Sequence, residues 1–253
     1  MKKDYSSISK NTAGGLVLML LSLIGICFII TRLFYYVYEY DAQYSPIDYG
    51  QFNILSYFTI QSNFFIYLYF FFAAISIFGV KKAEKIAFNP TIAVLVTVYV
   101  LIAGITYCAG IPMGMTPPFK WDSAYHIFSA VNQIYYHMLI PPAAFVLLLF
   151  PFTDKKVSVK QCLTLSGIYP FVYSVFSLVR GAVFKPTYYP YPFYNPEFIW
   201  KLFFKDKPVN LFASYLIIAV LLAAGISLFA AITALLLVIY NKRADQAIKT
   251  AAL

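Results

Sequence analysis

Two residues in apolar segments of this chain have side chains that could make and break ester bonds together. Thr59 has a hydroxyl group, and His137, in the middle of a separate apolar segment, has an imidazole. A threonine hydroxyl is a poor nucleophile until a base removes its proton. Histidine is the side chain whose ordinary pKa suits that task near neutral pH. The pair predicts acyl-transfer chemistry that needs neither a metal nor an organic cofactor.

Other polar residues fall on the same helical faces as this pair. Asn63 follows Thr59 by one turn, Gln133 precedes His137 by one turn, and His126 lies seven residues before Gln133. Polar groups in membrane helices usually face the bundle interior or a wet cavity, so we expect a shared cavity that opens outward. Gln133, Asn63 or a tyrosine could orient the imidazole or donate to an oxyanion. Alternatively, the two amides simply hydrogen-bond neighbouring helices.

Several other chemistries have no support in the sequence. The chain has no GxSxG, GxxxxGK[ST] or HExxH pattern, and no Asp or Glu lies within the apolar segments. A Ser-His-Asp triad, an ATPase and a zinc protease are therefore disfavoured. The three cysteines form neither a CxxC pair nor a Cys/His cluster, so we expect no disulfide framework and no metal site.

Six apolar segments must position these residues. The chain is 61% hydrophobic and only 11% charged, which is typical of a protein embedded in lipid. A helix needs about 20 apolar residues to cross the hydrocarbon core. The sequence thus predicts an all-α polytopic membrane protein, one membrane domain over 1–253, with six transmembrane helices at about 14–37, 54–79, 91–110, 127–150, 162–184 and 210–240. Pro141, Pro142 and Pro170 lie inside these segments and predict kinks.

The basic residues indicate the orientation of these helices. Twelve Lys and Arg residues fall in the N-terminal tail, the 80–90 and 151–161 loops and the C-terminal tail, against five in the opposite loops. Positive charge accumulates on the cytoplasmic side, so both termini are predicted to be cytoplasmic and the protein a multi-pass protein of the cell membrane. This distribution also accounts for most of the net charge of +9, so no nucleic-acid partner is implied.

Two arginines and one loop complete the candidate groups. Arg180, near the outer end of the fifth segment, could bind a carboxylate or phosphate head group. Arg32, near the outer end of the first, is interpreted as reaching toward lipid head groups. The external loop 185–209, here called the aromatic loop, is rich in Tyr and Pro. It could cover a cavity or anchor the protein at the membrane interface.

Three patterns in order resemble a known family. They are Phe58-Thr59 followed by Ser62-Asn63, then His137 with Pro141, and then Tyr169-Pro170, Tyr173, Arg180-Gly181 and Tyr189-Pro190-Tyr191-Pro192-Phe193. Over about residues 55 to 195 the chain resembles the bacterial Pr-six-Pr family of integral membrane proteins. That family is distantly similar to the androgen-induced (FAR-17a-like) transmembrane threonine hydrolases, six-helix enzymes that cleave fatty acid esters of hydroxy fatty acids. The resemblance implies Thr59 and His137 as catalytic residues.

These observations lead to one main hypothesis and two alternatives. The first is an intramembrane hydrolase of lipid or fatty-acyl esters whose membrane lipid or amphiphilic substrate enters from the outer leaflet. Catalysis would use Thr59 and His137, and the substrate-binding residues would be Asn63, Gln133, Arg180, His126 and Tyr173. The alternatives are a non-catalytic six-helix substrate-binding subunit of a transporter, with His137 as a ligand contact, and a lipid-binding membrane protein without turnover.

Overall fold

The described part of the protein is entirely helical. A computed structural model describes residues 12–38, 54–112, 118–150, 155–183, 189–205 and 207–251. No strand occurs among these residues, which confirms the all-α prediction. The helices are α1 (Thr12–Tyr38), α2 (Phe58–Ile77), α3 (Glu84–Ala87), α4 (Pro90–Gly110), α5 (Ala124–Ile134), α6 (Ile140–Leu149), α7 (Val159–Val183), α8 (Pro196–Phe204) and α9 (Leu211–Ala251).

Five of these helices are long and apolar enough to cross a membrane. Within the described ranges they are α1, α2, α4, α7 and α9. In their most apolar windows, α2 and α4 are 56% buried, whereas α9 is 17% buried and exposes side chains such as Phe212 and Val238. An apolar surface of this extent is suited to lipid rather than water. The α2 and α4 helices therefore form the centre of the bundle.

The α1 helix packs closely against α2 at a glycine. A Cβ atom on Gly25 would lie 2.4 Å from Cζ of Tyr67, a ring that is fully buried. The Ser22 hydroxyl also donates to the Tyr67 carbonyl at 2.8 Å. One face of α1 continues from these residues to Phe28, whose ring contacts that of Tyr135 with centroids 5.1 Å apart. This face fixes α1 against both α2 and the segment that follows α5.

The fourth apolar segment, predicted at 127–150, is helical but irregular. The 11 residues of α5, a five-residue π-helical turn (Tyr135–Leu139) and the 10 residues of α6 follow without a break. Pro141 and Pro142 have no N–H, so the carbonyl oxygens of His137 and Met138 lose their usual helical partners. Interior prolines and single π turns are both sites at which helices become irregular. In this segment the π turn lies directly before the two prolines, whereas Pro170 lies inside a continuous α7.

A second set of contacts joins α9 to the segment that precedes α7. The Asn241 side chain accepts from the Val157 N–H at 2.9 Å and donates to the Val157 carbonyl at 3.3 Å. Lys156 pairs with Asp245 at 2.8 Å. Two of the four basic segments thus lie together. The lysines used for orientation at positions 2, 3, 10 and 185, and Tyr188 of the aromatic loop, lie outside the described residues.

Candidate active site

Thr59 lies in the first turn of α2. The N–H groups of this turn have no helical acceptor, and tyrosine hydroxyls accept from two of them. Tyr173 of α7 accepts from the Phe58 N–H at 3.1 Å, and Tyr191 of the aromatic loop accepts from the Thr59 N–H at 3.4 Å. The positive end of the helix dipole therefore lies beside the Thr59 hydroxyl, where it favours negative charge.

His137 occupies the centre of the π turn, on a buried face. Its side chain is 6% exposed, and its ring stacks on that of Tyr107 of α4 with centroids 3.8 Å apart and planes 12° apart. Nδ1 lies 3.0 Å from the Gln133 carbonyl oxygen. Since a carbonyl oxygen only accepts, this bond places the hydrogen of a neutral imidazole on Nδ1. Nε2 is then the nitrogen with a free lone pair.

The two predicted catalytic side chains meet. Nε2 of His137 lies 3.4 Å from Oγ1 of Thr59, although 78 residues separate them in the chain. The distance is at the long end for a hydrogen bond, and catalytic contacts are often long before substrate binds. The unprotonated nitrogen faces the hydroxyl, as removal of its proton would require. Thr59 itself is only partly buried.

Three of the residues predicted to bind substrate make contacts that position this pair. Asn63 donates to the Thr59 carbonyl at 2.9 Å and accepts from the Tyr67 hydroxyl at 3.0 Å. Gln133 contributes its backbone carbonyl to His137. Tyr173 donates to the Ser56 carbonyl at 2.7 Å in addition to its contact with Phe58. A substrate contact by any of these three stays a prediction.

The other two predicted substrate-binding residues lie in terminal turns of their helices. Arg180 is buried in the last turn of α7 beside Gly181, where a Cβ atom would lie 2.0 Å from the ring of Tyr189. This places Arg180 where α7 meets the aromatic loop. His126, in the first turn of α5, is partly exposed, and its Nδ1 contacts the Asp122 carboxylate. The hydrogen bond from His126 lowers the pKa of that carboxyl.

Two aromatic residues in contact with the pair were not among the predicted site residues. The hydroxyl of Tyr191 lies 3.5 Å from Oγ1 of Thr59, and Tyr107 stacks on His137. The chain has 23 tyrosines, and no spacing rule distinguishes these two from the others. Arg32 is partly buried in α1, and its interaction with lipid head groups stays a prediction.

A small cavity elsewhere in the bundle holds no comparable chemistry. It is lined by Tyr69, Thr97 and Tyr240 among apolar residues, about three turns along α2 from Thr59. No histidine or cysteine lines it. In the described part of the chain no group of three metal-ligating side chains occurs. The Thr59–His137 pair is therefore the candidate site that the geometry supports best.

The fold and the site together define a class of protein. It is a helical protein with multiple membrane-compatible helices and a threonine–histidine pair between α2 and the π turn. The chain matches no family model, no curated protein and no solved structure.

Proposed function

We propose that this protein is an intramembrane hydrolase of lipid or fatty-acyl esters, with Thr59 as nucleophile and His137 as general base and acid. One observation carries the proposal, namely the 3.4 Å contact between Thr59 Oγ1 and the His137 nitrogen that the Gln133 carbonyl leaves unprotonated. Placement of nucleophile and base within reach, with a third group orienting the base, is the usual signature of covalent acyl transfer. The resemblance to the Pr-six-Pr proteins and to the transmembrane threonine hydrolases points the same way.

The reaction follows from these positions. His137 Nε2 takes the hydroxyl proton as Thr59 Oγ1 bonds to the ester carbonyl carbon, whose π electrons move to oxygen. Collapse of this intermediate breaks the bond to the alcohol oxygen, which receives the proton from His137. Water then attacks the acyl-threonine, passes one proton to His137, and Thr59 recovers it as the acid leaves. The positive end of α2 favours the negative charge of both intermediates.

The proposal includes the arrangement in the membrane. Six helices would span the bilayer, the segment formed by α5, the π turn and α6 being the fourth, and both termini would be cytoplasmic. Two observations support this arrangement. The basic segment at 155–160 lies against the basic end of α9. The N-terminal turn of α2, the outer half of α7 and the aromatic loop lie together at the opposite end.

A topology experiment tests this arrangement by itself. Single cysteines in a variant without the native cysteines would be placed in the 80–90 and 151–161 loops and in the aromatic loop. In intact cells an impermeant maleimide should label the aromatic loop alone. Labelling of the 151–161 loop from outside would overturn the orientation. The three native cysteines can be replaced without breaking a disulfide, because Cys27, Cys108 and Cys162 are free thiols.

Covalent labelling tests the chemistry. A fluorophosphonate with a long alkyl chain should label the wild-type protein in detergent or bilayers, and Thr59→Ala should abolish that labelling. His137→Asn should slow it by at least about a hundredfold, since general base catalysis typically contributes that much. Thr233→Ala is the matched control, because the Thr233 hydroxyl is buried and donates to the Phe229 carbonyl of its own helix α9.

Undiminished labelling of Thr59→Ala would refute the assignment of the nucleophile. If the wild-type protein neither labels nor turns over any acyl ester, but retains a stoichiometric small molecule through purification, the transporter-subunit alternative replaces the enzyme. Retention of lipid alone would indicate the lipid-binding alternative.

A further inference from the structure

The hydrogen bonds around Thr59 can each be given a direction. His137 donates through Nδ1 to the Gln133 carbonyl, so Nε2 must accept, and the Thr59 hydroxyl is the donor at 3.4 Å. With its single hydrogen directed to His137, Thr59 Oγ1 can only accept from Tyr191, 3.5 Å away. The Tyr191 oxygen in turn accepts from the Thr59 N–H. The Tyr191 hydroxyl hydrogen therefore points at the oxygen that would attack the ester.

We propose that Tyr191 is a catalytic residue of this site, and that its hydroxyl donates the hydrogen bond that stabilises the oxyanion. The inference rests on the proposed function, because it assigns a role in the same reaction. When Thr59 Oγ1 bonds to the ester carbonyl carbon, the carbonyl oxygen becomes negative at a position two bonds away from Oγ1. A small rotation turns the Tyr191 O–H from Thr59 Oγ1 to this oxygen, and the Thr59 N–H is released as a second donor.

The present contacts of Tyr191 make this exchange feasible. Its two hydrogen bonds, at 3.4 and 3.5 Å, lie at the outer limit for such bonds, so little energy is lost when a charged acceptor replaces them. A donor that is already oriented toward the developing charge is the arrangement that favours the transition state over the ground state. Burial raises the pKa of the Tyr191 phenol to about 12, so it remains a donor at neutral pH.

Aromatic contacts hold the ring of Tyr191 in place, so its hydroxyl can change hydrogen-bond partner without movement of the loop. It stacks on Phe193, with centroids 5.2 Å and planes 7° apart, and contacts the rings of Tyr57 and Tyr173 edge to face. These contacts do not involve the hydroxyl. Removing the oxygen alone should therefore leave the aromatic loop in place, which separates a catalytic role from a structural one.

The experiment compares Tyr191→Phe with Tyr194→Phe in purified full-length protein. Tyr194 lies in the same loop, but its hydroxyl bonds Ser174 at 3.0 Å and not Thr59. The probe is a panel of p-nitrophenyl acyl esters, with kcat, KM and thermal unfolding measured for each variant. Tyr191→Phe should lower kcat by about a hundredfold to a thousandfold with KM and unfolding temperature unchanged, as loss of one oxyanion donor does. Tyr194→Phe should leave kcat within about threefold of wild type.

The outcomes separate this inference from the function on which it rests. Wild-type turnover that Thr59→Ala abolishes, together with a kcat for Tyr191→Phe within about threefold of wild type, would overturn the role of Tyr191 and leave the hydrolase intact. An equal fall in kcat for both loop variants would also overturn it. Turnover by Thr59→Ala equal to wild type would instead refute the hydrolase.

A second measurement keeps the test available if Tyr191→Phe does not fold. Fluorinated tyrosine at position 191 keeps the hydroxyl but makes it more acidic. Only the protonated phenol of Tyr191 can donate, so the alkaline limb of the plot of kcat against pH should move to lower pH in this variant. A profile identical with that of wild type over the range in which the fluorinated phenol ionises would overturn the proposal.

Discussion

Gly104 of α4 is the position at which a small change should disable the site without altering either catalytic side chain. A Cβ atom there would lie 2.7 Å from the His137 carbonyl oxygen and 2.8 Å from Cγ of Pro141. Ordinary contact begins near 3.4 Å, so Gly104→Ala requires α4 and the π turn to separate by about 0.7 Å. Neither neighbour is a flexible chain end, since one is backbone and the other a proline ring. Overpacking of this kind typically costs about 1–3 kcal/mol.

The effect on chemistry should exceed the effect on stability. The Nε2–Oγ1 contact is already 3.4 Å long, so a shift of this size in the turn that carries His137 removes it. A misplacement of about 1 Å can lower a rate by about a hundredfold. We therefore expect fluorophosphonate labelling of Gly104→Ala to slow by about that factor. The unfolding temperature should fall only modestly, and far-ultraviolet circular dichroism should stay helical.

Gly225→Ala on α9 is the matched control for this prediction. No atom lies within 4 Å of a Cβ atom at that position, so alanine should be tolerated and, as a better helix former, should stabilise by up to about 1 kcal/mol. If Gly104→Ala labels at the wild-type rate, the close approach of α4 to the π turn does not position His137, and the reasoning is wrong. Equal losses in both glycine variants would show that labelling reports helix content rather than this contact.

Two further predictions concern packing away from the catalytic pair. Gly25→Ala would place a Cβ atom 2.4 Å from the ring of Tyr67, whose hydroxyl is hydrogen-bonded to Asn63. The free energy of unfolding should therefore fall by about 1–3 kcal/mol. An unchanged unfolding temperature would contradict the described α1–α2 contact. Asn241→Ala removes two hydrogen bonds to the Val157 backbone and should cost about 1 kcal/mol, with labelling of Thr59 unchanged. A labelling rate that falls with Asn241→Ala would show coupling between the two ends of the bundle.

Composition and spacing were sufficient for some features of the molecule. Long apolar runs predict helices because a bilayer-sized segment has few other ways to satisfy its backbone. The same logic singles out His137, since an imidazole in an apolar helix requires a polar partner. The structure gives it two, the Thr59 hydroxyl and the Gln133 carbonyl. Helical faces suggested that Thr59 and His137 could share one cavity, and the family resemblance implied both as catalytic residues.

Other features depend on contacts that spacing cannot specify. Tyr191 approaches Thr59 only because the aromatic loop returns over the start of α2, and loop paths are set by tertiary packing. Spacing did not specify that the backbone carbonyl of Gln133 bonds His137. It also did not specify that the Asn63 amide bonds the Thr59 carbonyl and the Tyr67 hydroxyl. Polar residues in helices often satisfy their own helix first, which periodicity does not reveal.

The π turn at Tyr135–Leu139 has a consequence for how this segment tolerates changes in length. Relative to a regular helix, a π turn accommodates one extra residue, and each residue of an α-helix advances the side chains by about 100°. Deleting a single residue within the turn would restore regular geometry and leave both flanking helices intact. Because the wider turn absorbs the extra residue, the flanking helices would keep their present faces, and the side chains within the turn, His137 among them, would change direction. Even such a one-residue deletion should therefore separate a well-folded protein from an active one.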